Sequence, residues 1–460
     1  MNVLTKRLAA AGLAACAIAL PLVAFNQETA QSTDSSELYL QLELFGQVLD
    51  RIREEYVEAP NETELIRAAI NGMLTSLDPH SAYISPDSYG DVQEDLSGQF
   101  GGLGIEITME NDLVRVVTPY DDSPASRAGI LAGDFIIEIE GQDVYGMTLD
   151  EAMNMMRGEP GTEVDVVVAR EGVDVPIPLT LTRDIISVAS VRMSYEREVP
   201  IIRVSRFSGQ TYAGLEDSIR TIFEDNGGEP PAGIILDLRN NPGGVVDQSV
   251  FVADAFLSQG SVVLTRGRTE RQNSRYEAHP DEIDALLADV PLIVLINGGS
   301  ASAAEIVAGA LQDHARATLV GTRSFGKGSV QSIIPLGIDG AMRLTTARYY
   351  TPNNRSIQAL GIIPDIEVLQ DVPEELRAAY EILGEAGAAG HLAGEGEEAT
   401  AGSSVYIPID KAEDNQLNYA IDLILGTVSD PAFPPSQAVA LESAMSGDAP
   451  ADEAAETPAP

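Results

Sequence analysis

Hydrophobic positions change their period along the chain. Leu38, Leu42, Phe45, Leu49, Ile52 and Tyr56 recur at alternating steps of four and three. This is the stripe of an amphipathic helix that wants a partner. Asn61-Glu62-Thr63-Glu64 offers an N-cap with Glu at the third position, and Ile66, Ala69, Ile70, Met73 and Leu77 form the face of a second helix. Asp78-Pro79-His80 ends it. Between Gly98 and Arg183 the period falls to two. Ile105, Ile107 and Met109 alternate, and Leu113, Val114, Val116 and Val117 follow a turn at Asn111-Asp112. Residues 135–139 and 164–168 read as further strands, and 149–157 as the one good helix. These elements predict a small β domain.

Beyond Ile185, short apolar strands at 201–204, 233–238, 262–265, 291–296 and 318–320 alternate with helices at 212–223, 247–257 and 303–311. Alternation of this kind predicts an α/β layered core. From Asp371 the pattern weakens. One amphipathic helix remains, carried by Leu417, Ala420, Ile421, Ile424 and Leu425, and it needs a surface to cover it. Residues 446–460 are Ala, Pro and acid, the composition of a disordered tail. The expected organisation is a leader over 1–30, a helical region over 31–96, the β domain over 97–184, the α/β core over 185–370, a helical acidic region over 371–445 and the tail.

The leader reads as an address. Lys6 and Arg7 precede an uncharged run from Leu8 to Phe25, the layout of an export signal. No clean A-x-A site precedes Gln27, so a retained membrane anchor is the alternative. Leu13-Ala14-Ala15-Cys16 resembles a lipoprotein box, but the apolar run continues past Cys16. Either way the chain is expected to work outside the cytoplasm, in the periplasm or on the outer face of the inner membrane, without ATP.

Charge and composition narrow the chemistry. Lys plus Arg is 28 and Asp plus Glu is 71, a net charge of −43. Such a surface repels phosphate backbones, so no nucleic-acid partner is expected. Cys16 is the sole cysteine, which excludes an intramolecular disulfide. His80, His279, His314 and His391 lie far apart in unremarkable polar contexts, and no HExxH or CxxC occurs. Neither a metal nor another cofactor is expected.

Three segments carry candidate chemistry. First, the strand 293–296 runs into Gly298-Gly299-Ser300-Ala301-Ser302-Ala303-Ala304-Glu305 and then a helix. A tight turn between strand and helix exposes a nucleophile and offers free N–H groups to an oxyanion. Second, Gly321 to Gly328 nearly matches the phosphate loop GxxxxGK[ST]. Gly328 replaces the required hydroxyl and a strand follows, which excludes a nucleotide site. What remains is Lys327, between two glycines and beside Phe325. A poorly solvated lysine loses its proton more easily and can act as a base. GxSxG is absent, so a Ser302–Lys327 dyad fits better than a Ser–His–Asp triad, with Gln331 placed to hydrogen-bond the lysine. Third, the strand 233–238 leads into Asp237-Leu238-Arg239-Asn240-Asn241-Pro242-Gly243-Gly244. Pro-Gly-Gly lets backbone approach a ligand closely. An N–H of Gly243 or Gly244, with that of Ala303, would make an oxyanion hole.

Together with Leu77-Asp78-Pro79-His80-Ser81, and with Phe325-Gly326-Lys327-Gly328-Ser329-Val330-Gln331 around the lysine, these motifs resemble the carboxyl-terminal processing, or tail-specific, proteases over about residues 36–368. The resemblance implies that Ser302 and not Ser300 is the nucleophile, Lys327 the general base and Gln331 its support, with Asp313 structural. It implies a crotonase-like layered α/β protease core, in a multidomain α+β and α/β chain. The β domain then looks like a PDZ domain inserted before that core. Phe100-Gly101-Gly102-Leu103-Gly104-Ile105 resembles its carboxylate loop, so Gly102, Leu103, Gly104 and Ile105 are expected to hold a peptide C-terminus beside the helix 149–157. Arg157, closing that helix, is the expected link between a bound tail and the core. The function implied is a serine endopeptidase that recognises protein C-termini and cleaves through an acyl-enzyme. The alternative is a non-catalytic PDZ scaffold. Expected partners are protein substrates, an adaptor and a second copy of the chain, a two-fold dimer joined through both terminal helical regions.

Overall fold

The computed structural model describes residues 28–435 apart from 111, 121 and 397–401. The proposed leader, the turn residue Asn111 and the acidic tail lie outside the described residues. Among those described, no helix is long and apolar enough to cross a membrane. The chain divides into two compact units, residues 1–70 and 71–460.

The first unit contains the helix Glu28–Glu55 and the start of the helix Glu62–Thr75. Asn61 caps the latter as its sequence predicts: its Oδ1 accepts from Thr63 N and Glu64 N at 3.1 and 3.3 Å. Along the first helix Leu38, Leu42, Phe45 and Tyr56 are exposed.

In the second unit, period-two alternation produces an antiparallel sheet in the order Ile105–Glu110, Leu113–Pro119, Phe135–Ile139, Glu163–Ala169 and Ile177–Thr182. Val114, Val116, Ile136, Ile139, Val164 and Val166 face its core, where Ala152 and Met156 of the helix Leu149–Met156 cover them. A capping box between Thr148 and Glu151 starts that helix. The strands Gln99–Gly102 and Asp184–Ser187 pair at the neck, so chain entry and exit close together and the domain is an insertion.

The core's parallel sheet runs Val199–Val204, Ile234–Asp237, Leu292–Ile296, Thr318–Gly321 and Ile366–Glu367, with Val191–Glu196 antiparallel at its edge. Its strands are apolar on both faces because both are covered. Ile202, Ile234, Leu236, Val294 and Ile296 point to the helices Thr211–Asp225, Val246–Asp254 and Ala303–Asp313. Ile201, Ile235, Ile293 and Leu295 point the other way, where Leu417, Ala420, Ile421 and Leu423 of the helix Asn415–Ile424 pack on them.

That packing corrects two expectations. The C-terminal helix covers its own sheet, so most of its expected apolar face is already used, with Leu425 left exposed at its end. The region after Asp371 is also not weakly organised. Asp414 and Gln416 accept from the buried Arg239 at 2.8 and 3.2 Å, and the strands Glu381–Ile382 and Ser403–Ser404 pair antiparallel beside the turn at Gly298, whose N–H donates to Ser404 O at 3.2 Å. A second departure is an antiparallel sheet in which Ala341–Tyr350 pairs with Ala82–Ile84, Gly260–Gly267 and Ser329–Pro335. The strand expected at 262–265 belongs to this sheet and not to the parallel one.

Candidate active site

The turn that carries the predicted nucleophile is built from the buried end of a strand. After Ile296, Asn297 Oδ1 accepts from Asn240 N and Gly299 N at 2.9 and 3.0 Å. Ser300 is wholly buried. Its Oγ donates to Leu238 O at 2.8 Å and accepts from Asn297 N at 3.0 Å, so it staples two turns together. Ser302 is partly exposed at the N-cap of the helix Ala303–Asp313, with φ 53° and ψ −113°. A non-glycine residue is held in such a conformation only when its surroundings insist, and such strain collects at functional sites. The same geometry turns a serine outward in other nucleophile turns.

The Pro-Gly-Gly turn presses against this serine. A Cβ on Gly243 would stand 2.8 Å from Ser302 Cβ and 3.1 Å from Ala303 N, and one on Gly244 would stand 2.0 Å from Phe207 O. Only glycine fits at either position. The Gly243 N–H, however, already donates to Asn241 Oδ1 at 2.9 Å. This removes Gly243 as a free oxyanion donor in this conformation. The N–H groups of Gly244 and Ala303 donate to no acceptor among the described residues.

The lysine loop joins the turn through a residue that motif reading passed over. Glu305 is fully buried. Its Oε2 accepts from Ser302 N at 2.8 Å and Lys327 N at 2.9 Å, and its Oε1 from Ser324 Oγ at 2.6 Å and Gly326 N at 2.7 Å. One carboxyl group therefore spaces the backbone of the predicted nucleophile from that of the predicted base. Burial pushes Glu305 up to about 7, against the pull of these donors. The S-x-x-E spacing of a capping box, Ser302 to Glu305, was the signal available in the sequence.

Lys327 is half-buried, and burial lowers its pKa from the ordinary lysine value; the Arg343 charge acts in the same direction, while Glu385, Glu305 and Asp78 oppose it. Its ammonium makes no hydrogen bond among the described residues. Gln331 does not support it as expected: its Nε2 donates to Ser329 Oγ at 2.9 Å and Thr345 Oγ1 at 3.4 Å. The register of its strand shifts between Val330 and Gln331, and both of these partners lie on the same sheet. His80 is also not in an unremarkable context, since its Nε2 lies 2.9 Å from the buried carboxylate of Glu385. Asp313, read as structural, binds the Arg355 side chain and accepts from Asn353 N at 2.8 Å.

The peptide groove lies apart from these loops. Gly102, Leu103, Gly104 and Ile105 line a cavity of about 70 Å³ with Phe100, Ile107, Met153, Met156 and Arg157. The Arg157 guanidinium sits 5.0 Å from the centre of the Phe100 ring and 3.6 Å from Glu94. Glu94 belongs to the helix Pro86–Ser97, an element the periodicity did not reveal. The same helix reaches the core, where Arg206 donates to Asp95 O at 2.9 Å and Gly209 N to Leu96 O at 3.0 Å. Phe207, between those two residues, donates to Gly243 O at 2.9 Å.

A strand–turn–helix serine, a Pro-Gly-Gly turn and a buried lysine on an α/β core, preceded by an inserted peptide-groove domain, define a PDZ-containing serine peptidase. The chain belongs to peptidase family S41, among the carboxy-terminal-processing proteases. The family model for peptidase family S41 matches residues 198–368, a PDZ domain model matches 115–170, and the N-terminal domain model of the activating protease CtpB matches 20–88. The chain is 48% identical to the carboxy-terminal-processing protease of Bartonella bacilliformis, over 88% of this chain and 93% of that protein. It is 38% identical to the carboxyl-terminal-processing protease of a Synechocystis species, over 69% of this chain and 75% of that one. Among solved structures, the photosystem II D1 C-terminal processing protease is similar at 28% identity and a TM-score of 0.41, covering 71% of this chain and 92% of that one.

Proposed function

We propose that this protease works through a Ser302–Lys327 dyad on substrates selected by their C-terminal tails. Neutral Lys327 takes the proton from Ser302 Oγ as that oxygen attacks the scissile carbonyl. The N–H groups of Ala303 and Gly244 receive the oxyanion. The lysine then returns the proton to the leaving amine, and water hydrolyses the acyl-enzyme by the same route reversed. The observation that carries this reading is the Glu305 carboxyl, which holds the peptide N–H groups of Ser302 and Lys327 on one oxygen. Gln331 keeps its proposed supporting role through its amide oxygen, since the hydrogen bonds to Ser329 and Thr345 engage only its Nε2.

The tail binds along Gly102–Ile105, and its carboxylate is received by backbone N–H groups there. The run of contacts from Arg157 through Glu94, Asp95 and Phe207 to Gly243 supports a groove that gates the oxyanion turn as well as tethering substrate. Export by the leader, to the periplasm or the outer face of the inner membrane, remains part of this proposal, as do an adaptor and self-association. For self-association the support is now the exposed face Leu38–Tyr56 alone. The deciding experiment incubates the protein and its Ser302→Ala form with unfolded proteins that differ only in their last residues. Tail-dependent cleavage by the parent alone is expected. Binding without cleavage by both would make the chain a scaffold.

A further inference from the structure

The C-terminal region brings a carboxylate to the lysine loop. Glu385 is 1% exposed and opens the short turn Glu385–Gly387. Its N–H donates to Phe325 O at 2.8 Å, and a Cβ on Gly384 would stand 2.3 Å from that same oxygen. The segment thus lies flat against the loop two residues before Lys327. One residue after the lysine, Gly328 N donates to Gln358 Oε1 at 3.1 Å, and Gln358 Nε2 donates to Glu385 Oε1 at 3.1 Å. The carboxylate is therefore tied to both sides of Lys327. His80 completes the arrangement, with Nε2 at 3.0 and 2.9 Å from the two oxygens. The backbone of His80 is held in place, because His80 N donates to Asp78 Oδ1 at 2.9 Å and His80 O accepts from Arg343 Nε at 3.0 Å.

A buried carboxylate requires partners, and here the His80 ring contacts both oxygens while the charge of Lys327 acts on the same anion from the loop. Burial alone would raise Glu385, yet the His80 and Gln358 hydrogen bonds and the charges of His80 and Lys327 hold it below the ordinary glutamate value. An anion close to Lys327 favours the ammonium form, which cannot accept the serine proton. A donor that occupies both carboxylate oxygens weakens that hold. The remaining charges facing the lysine are Arg343 from the strand Ala341–Tyr350, Glu305 from the helix Ala303–Asp313, and Asp78 from the turn before His80.

We propose that Glu385 and His80 are positioning residues for the catalytic lysine: Glu385 is its counter-charge, and His80 draws that charge away so that Lys327 can serve as a base. This rests on the reading of Lys327 as the base. The test is the pH–rate profile on an unfolded substrate for Glu385→Gln, His80→Ala, His80→Gln and the His80→Ala, Glu385→Gln double variant, each checked for fold by circular dichroism. Glu385→Gln should move the acid limb of kcat down by about one pH unit, and His80→Ala should move it up by a similar amount. His80→Gln keeps an N–H donor and should fall between His80→Ala and the parent, which also covers the case in which the alanine variant fails to fold. The double variant should follow Glu385→Gln, since His80 acts only through the carboxylate. Limbs that stay in place in folded variants, or that move in the same direction, overturn the proposal. An inactive Lys327→Arg alongside unmoved limbs discards this proposal alone. An active Lys327→Arg discards the underlying reading instead.

Discussion

The nucleophile turn and the lysine loop are held in different ways. In the turn, Asn297 Oδ1 accepts from Asn240 N, Ser300 Oγ joins Asn297 N to Leu238 O, and the strained Ser302 is held through its N–H by Glu305. In the loop, Gly326 N and Lys327 N are fixed by Glu305, but the ammonium group itself is held by no hydrogen bond among the described residues. Local backbone bonding thus places the proposed nucleophile, whereas burial and charges from four other segments bear on how readily the lysine loses its proton. Position and protonation are separate problems, and variants should separate them.

The largest effects should come from the two reacting groups. Ser302→Ala should lower kcat on an unfolded substrate by at least about a thousandfold with folding intact. Lys327→Arg keeps the charge but cannot deprotonate, so it should be as inactive as Lys327→Ala. The parent's rate should rise with pH through an apparent pKa below the 10.5 of an ordinary lysine, because burial disfavours the ammonium. Substantial turnover by Lys327→Arg would show that the loop contributes charge and not basicity.

Glu305 joins the two regions, so its removal should damage both. Glu305→Ala leaves four donors without an acceptor, each worth about 1–3 kcal/mol when buried. We expect a large loss of stability by urea unfolding, together with a fall in kcat of roughly a hundredfold. The pH dependence has a definite sign. The folded value near 7 lies above the unfolded value of 4.5. The stability linked to this group is therefore complete below about pH 4.5 and is lost as pH rises through 7. Relative to Glu305→Gln, the parent should lose stability across that window. A constant difference would mean that folding does not raise the Glu305 value above its unfolded one.

The contrast between the two regions also marks what the sequence revealed. The turn at Ser302 lies on consecutive residues, and its strand, small residues and helix were legible from periodicity, as was the PDZ groove helix, although the Thr148–Glu151 cap that starts the latter was missed. Glu385, His80 and Gln358 come from segments up to 305 positions apart, and no local pattern relates them. The stretch between Asp371 and the C-terminal helix looked unorganised because many of its contacts are single polar groups on distant turns, such as Asn240 Nδ2 to Val405 O at 2.8 Å. The helix Pro86–Ser97 was missed because it is polar on most faces, with the Ser85 cap and Pro86 as its only signals.

Ser300 separates placement from chemistry within the turn itself. Ser300→Ala deletes two buried hydrogen bonds and should lower stability by about 1–3 kcal/mol. It removes no reacting group, so kcat should fall less than tenfold, in contrast to Ser302→Ala. Equal losses from both substitutions would mean that the turn cannot hold Ser302 without its staple.

The smallest expected effect tests whether the peptide groove speaks to the turn. Arg157 stacks on Phe100 and stands near Glu94, whose Oε2 is buried without a hydrogen bond. A tail entering the cavity must displace or recruit this guanidinium, and either event loads the helix Pro86–Ser97. That helix meets the segment Arg206–Gly209, and Phe207 there holds the carbonyl of Gly243. A saturating C-terminal peptide added in trans should therefore change cleavage of a second, tail-less substrate severalfold. Arg157→Lys keeps the charge near Glu94 but loses the planar stack, so it should reduce that response in part, and Arg157→Ala should abolish it. If the peptide binds by calorimetry and alters nothing in the parent, the groove only tethers, and the contacts from Arg157 to Gly243 are structural.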